Sequence, residues 1–137
     1  MVHIFEIEGC PLVLDPERTR EFYLTQNKIT ENCSCDDCQF YTESFTQEPF
    51  EIFSLLSSMG VDLQKNLKSD PAGAWCIRDD NENVIHCDQL YTVVGHFSDK
   101  YKTFANYEKV EGNFKISAQF KESADDTILV VLSIDRV

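Results

Sequence analysis

Phe114-Lys115-Ile116-Ser117-Ala118-Gln119-Phe120-Lys121 alternates apolar and polar residues at every step. Side chains along a strand point to opposite faces in turn, so this stretch predicts a strand with one buried and one wet face. Downstream, Glu122 to Asp126 reads as a turn into Ile128-Leu129-Val130-Val131-Leu132, an apolar run suited to a central strand. Upstream, Leu90 to Phe97 predicts another strand, with Tyr91, Val93 and Phe97 on one face. Trp75-Cys76-Ile77 and Val84-Ile85-His86-Cys87 flank Asp79 to Asn83, which reads as a hairpin loop. Nearer the start, Val2 to Leu14 reads as a strand broken at Gly9-Cys10-Pro11. Asp15-Pro16 then starts a turn, and Glu21 to Thr25 is read as a second strand.

One long helix is legible. Thr46 can cap it and Pro49 suits its first turn, where a missing N–H costs nothing. Phe50, Phe53, Leu56 and Met59 lie along one side, widened by Ile52 and Leu55, and Gly60 can end it in the left-handed conformation. A shorter helix is expected near Asn32 to Tyr41, capped by Ser34 or Asp36. Together these predict an α+β fold, an antiparallel sheet of about five to seven strands with one main helix, roughly 47–59, packed on one face. The 137 residues make a single domain, 1–137, with 42% hydrophobic residues giving enough apolar area to exclude disorder.

Charge narrows the partners. Twenty-four acids against twelve bases give a formal charge of −12. Such a surface repels nucleic acid and anionic membranes and attracts basic proteins. Residues 29–64 contain no Lys or Arg, whereas Glu31, Asp36, Asp37, Glu43, Glu48, Glu51 and Asp62 all fall there. A solvated face that keeps the chain soluble is the plain reading; a docking surface for a cationic protein explains the clustering as well. The N-terminus lacks a signal-peptide pattern and no apolar run is long enough to span a bilayer, so a cytoplasmic protein is expected. Its six cysteines are then expected as thiols or metal ligands.

Cys33, Cys35 and Cys38 form C-x-C-x-x-C, a spacing that lets three thiolates gather around one soft cation. Zinc takes four such ligands, and Cys87 or His86 is the natural fourth, with Cys10 and Cys76 behind them. Cys76 and Cys87 also suit core positions, since free cysteine packs as a small hydrophobe. Asp36 and Asp37 place negative charge beside the thiols, which argues against a low-pKa catalytic cysteine. Structural zinc is therefore preferred over inert thiols, and redox chemistry comes third.

The run Cys33 to Phe40, followed by Leu55-Leu56-Ser57-Ser58-Met59-Gly60-Val61-Asp62-Leu63-Gln64-Lys65, resembles a family of small bacterial proteins that carry C-x-C-x-x-C and then a helix ending in L-G-I-D-x-x-K. Tyr91-Thr92-Val93-Val94-Gly95 is similar to that family's aromatic-x-x-V-G strand, with Thr92 where the family pattern has His. The family has no assigned activity. The resemblance implies a small bacterial protein of the toxin-immunity type.

No P-loop, Gly-rich dinucleotide turn, G-x-S-x-G elbow or H-E-x-x-H occurs. His86 and Cys87 are neighbours on a strand and would face opposite ways, and no enzyme is expected. The expectation is an acidic immunity or inhibitor protein for a basic toxin such as a nuclease. A zinc-stabilised adaptor with Phe40 and Tyr41 exposed for a partner is the alternative, and an enzyme of unrecognised type is the third reading.

Overall fold

The computed structural model describes residues 1–33, 35–65 and 74–137. Seven strands build one antiparallel sheet: β1 (His3–Ile7), β2 (Cys10–Leu14), β3 (Trp75–Arg78), β4 (Val84–Phe97), β5 (Phe104–Glu111), β6 (Phe114–Glu122) and β7 (Thr127–Arg136). Their order is β1-β2-β4-β7-β6-β5, with β3 paired to β4. Four helices, α1 (Pro16–Leu24), α2 (Ile29–Asn32), α3 (Asp36–Glu43) and α4 (Glu51–Ser58), complete the described residues. The α+β expectation and the strand number hold.

The alternation at Phe114 to Lys121 sets the sheet's inner face. Ile116, Ala118 and Phe120 stand opposite Ile134, Leu132 and Val130 of β7, and Val130 stands opposite Tyr91 of β4. All of these are buried. The helices cover this face: Phe45 and Phe50 close edge-on over Phe114, and Tyr41 meets Tyr91 hydroxyl to hydroxyl at 2.6 Å. The sheet coils until the two edge strands, β1 and β5, touch.

Several elements differ from the sequence reading. Val2 to Leu14 is a hairpin, turning at Glu8 and Gly9, both at positive φ (48° and 78°). Two left-handed residues match the twist of the strands they join. Asp15-Pro16 begins a helix: Asp15 accepts the Arg18 N–H and Pro16 takes the first position. Glu21 to Thr25 is the end of α1 and its cap, with Pro16, Thr19 and Tyr23 buried at helical spacing. β5, an edge strand, has no counterpart in the sequence reading. The main helix is shorter than 47–59, since Phe45–Gln47 forms a separate 3-10 turn and α4 starts at Glu51. Thr46 does not cap it; its hydroxyl donates to Thr42 O and accepts from Gln64. The Glu51 N–H is met from β5, by the Glu111 carboxylate at 3.1 Å. Gly60 ends α4 as expected, at φ +99°, with Val61 N–H returning to Leu56 O. An added Cβ there would sit 2.3 Å from Pro16 O, so the α4 end lies tight on the α1 start.

β4 explains why α1 is where it is. β3 pairs with one edge of β4 as far as Asp88, and β2 pairs with the same edge from Gly95. The gap between them would leave backbone groups unmet, at a cost of about 1–3 kcal/mol each when buried. Helix α1 and its cap fill it. Tyr23 Oη accepts from Thr92 N at 2.9 Å and donates to Thr92 O at 3.0 Å. Thr19 Oγ1 accepts from Val94 N, and Asp15 N donates to Val94 O.

Among the described residues, no helix is long and apolar enough to cross a membrane.

Candidate metal centre

Cys33 closes α2, Cys35 sits at the N-cap of α3 and Cys38 lies in its first turn. The two short helices lie against each other, and the three sulfurs come within 4.8 Å of one another. A tetrahedral cation with ~2.3 Å metal–sulfur bonds needs sulfurs about 3.8 Å apart, so a contraction of about 1 Å or less closes the site. Burial is graded: Cys38 is buried, Cys33 half-buried and Cys35 exposed. Three cysteines this close can hold a metal ion.

The thiols already influence one another. The Cys35 N–H and the thiols of Cys35 and Cys38 pull the Cys33 thiol below its ordinary value. Burial, reinforced by the thiols of Cys33 and Cys35, pushes Cys38 up to about 12. A cation that replaces the thiol protons removes this competition. Asp36, expected as a cap, is the first residue of α3 with Cys35 in the cap position, and Ser34, the alternative cap, lies outside the described residues.

The fourth ligand expected from sequence is corrected. Cys87 is bonded to Cys76 in a disulfide. The two residues stand directly opposite each other in the β3–β4 ladder, with side chains on the same face, so register alone brings the sulfurs together. The expectation of thiols or metal ligands therefore fails for this pair. His86 faces the other side of the sheet, its Nε2 2.9 Å from Asp88 Oδ1 and its Nδ1 hydrogen-bonded to Asp135. Thr92 is buried beside Ile128, to whose carbonyl its hydroxyl donates.

Asp37 ties the cysteine turn to β3. Its carboxylate sits 3.3 Å from the Arg78 guanidinium and accepts the Cys76 N–H, while its carbonyl lies 4.0 Å from Cys76 Sγ. Arg78 in turn stacks 6.0 Å over Phe40. Phe40 is half-buried against Phe45 and Tyr41 is fully buried, so neither is the exposed contact that an adaptor was expected to offer.

The seven acids of the expected docking surface all belong to the helical layer or to its links. Four serve the chain itself. Glu31 accepts the Lys28 N–H, Asp37 pairs with Arg78, Glu51 pairs with Lys109, and Asp62 accepts the Gln64 N–H. Asp36, Glu43 and Glu48 are exposed, and among the described residues no cation pairs with them.

A second polar group lies on the outer face of the sheet. Besides its two carboxylate partners, His86 carries the Trp75 ring edge-on at 5.8 Å, and Ser133 Oγ donates to Asp88 at 2.6 Å. Burial lowers the His86 pKa, but the bonds and charges of Asp88 and Asp135 outweigh it, and the net shift is upward. With both ring nitrogens engaged by carboxylates and Ser133 turned to Asp88, the group forms an ion cluster. His86 and Asp88, two apart on one strand, share a face, a signal that the sequence spacing alone carries.

No family model, curated protein or solved structure matches this chain.

Proposed function

We propose that the chain is an acidic protein-binding module, an immunity or inhibitor protein that covers the basic site of a toxin such as a nuclease. The observation that carries this reading is the set of exposed, unpaired carboxylates Asp36, Glu43 and Glu48, in a helical stretch without Lys or Arg in residues 29–64. Carboxylates already paired within a chain gain little from a new cation, whereas unpaired ones steer and orient it. The formal charge of −12 supports the same partner class. In this reading a zinc ion on Cys33, Cys35 and Cys38 fixes the start of α3, next to Asp36. Zinc suits three thiolates because it is a borderline-soft cation without redox chemistry. A cytoplasmic site of action goes with the reading. The Cys76–Cys87 disulfide argues the other way, since such bonds persist in oxidising compartments.

The test is capture of a basic partner on the full chain, followed by association kinetics at ~50 and ~500 mM salt. Association should slow at least tenfold with salt, and again with Glu43→Lys or Glu48→Lys. Rates indifferent to both changes would overturn the docking surface. The cysteine cluster favours a second reading, a zinc-stabilised adaptor without inhibitory role. It gains if the captured partner keeps its full activity in the complex.

A further inference from the structure

We infer that the cation held by Cys33, Cys35 and Cys38 keeps its fourth coordination position open to solvent, and that the donor suited to it is a histidine imidazole from the docking partner. This rests on the metal reading above and adds what the site binds.

Zinc in a structural site is closed by four protein donors. Among the described residues, the group of donors in mutual reach stops at three. The remaining cysteines and histidines are used or distant, His3 and His96 lying in the β1-β2-β4 ladder at the far end of β4. Cys87 and Cys76 are bonded to each other. His86 lies across the sheet from the helical layer, with both nitrogens taken. Cys10 belongs to the far end of β4, where Pro11 O accepts the Ser98 N–H. The cysteine turn is fastened through Asp37 to β3, opposite Cys87. The strand from residue 87 to 97 separates the two places by about 33 Å at ~3.3 Å per residue. Asp36 and Asp37, between Cys35 and Cys38 in sequence, both lie outside that group, and Asp37 spends its carboxylate on Arg78 and the Cys76 N–H. The gradient from buried Cys38 to exposed Cys35 sets the open direction outward.

Charge selects the donor. Three thiols give up three protons to a dication, leaving a complex of net charge −1. A fourth thiolate would raise it to −2 beside Asp36 and Asp37, at low dielectric cost only if new cations arrived with it. Neutral imidazole adds no charge and is the commonest metal ligand. A basic partner drawn to Glu43 and Glu48 could then place one histidine on the metal.

Cobalt(II) loaded into the full chain tests this without the partner. The thiolate-to-cobalt band in the near ultraviolet reports the three cysteines, and the visible d–d bands report the fourth ligand. On titration with imidazole the visible bands should shift and saturate at one imidazole per cobalt, with the near-ultraviolet band retained. Visible bands that do not move would mean a donor from within the chain, and loss of the near-ultraviolet band would mean that imidazole strips the metal; either overturns the open position. Absence of the near-ultraviolet band from the start would overturn the metal reading itself.

Discussion

Tyr23→Phe is the sharpest probe of how this fold is held. The substitution keeps the buried ring and removes only the hydroxyl that bridges Thr92 N and Thr92 O at 2.9 and 3.0 Å. Neither β2 nor β3 can take over, because their ladders with β4 end on either side of Thr92. Two buried backbone groups are then unmet, at about 1–3 kcal/mol each, so the expected loss is roughly 2–6 kcal/mol. That is a large share of the roughly 5–15 kcal/mol typical of a domain, and lowers Tm by roughly 10 °C. Urea melts of the two proteins give the loss directly, and hydrogen exchange at the Thr92 amide should speed up by a larger factor than at neighbouring β4 amides. Tyr101→Phe, on a side chain 82% exposed, is the control and should change little. A loss below about 0.5 kcal/mol for Tyr23→Phe, the scale of ordinary surface changes, would refute the claim that α1 completes the β4 edge.

Two further outcomes follow from the described geometry. His86 has a folded pKa above the ordinary imidazole value of about 6.5, so the folded state binds more protons between the two values. Its stabilisation is whole below about pH 6.5 and is lost as pH rises through the folded pKa. An NMR titration should place the imidazole above 6.5, and His86→Leu should flatten stability in that window; a titration below 6.5 would contradict the ion cluster. Reducing the Cys76–Cys87 bond, which closes a separation of 11 residues, should cost at most about 3 kcal/mol, seen as a lower melting temperature in reductant. An unshifted melt would mean that the β3–β4 ladder alone holds this hairpin.

The sheet was readable where burial alone dictates residue type. Ile116, Ala118 and Phe120 against Lys115, Ser117 and Gln119 is a period of two that no helix tolerates, and β6 is where that pattern predicts. α1 was misread because its buried residues, Pro16, Thr19 and Tyr23, include only one large hydrophobe, while Phe22 and Leu24 suggested a strand. Asp15-Pro16, expected to start a turn, fits the cap and first position of a helix equally well. β5 escaped because it is an edge strand that buries only Ala105 and Tyr107. At the cysteines, spacing located the trio, since C-x-C-x-x-C is a local property. The Cys76–Cys87 bond depends on strand register, and the Asp37–Arg78 pair on packing between distant segments, which spacing does not encode.

The place of β7 also governs how the molecule can come together. It is the last of the elements in chain order, yet it lies between β4 and β6 and pairs with both along most of its length. Until it emerges from the ribosome, β4 has no neighbour on that side, and the β5–β6 hairpin has nothing to join. The two halves of the sheet must therefore wait, apart and with apolar rows uncovered, for a single closing segment. Assembly should be slow because its closing pairings are distant in sequence, and the waiting interval is when aggregation competes with folding.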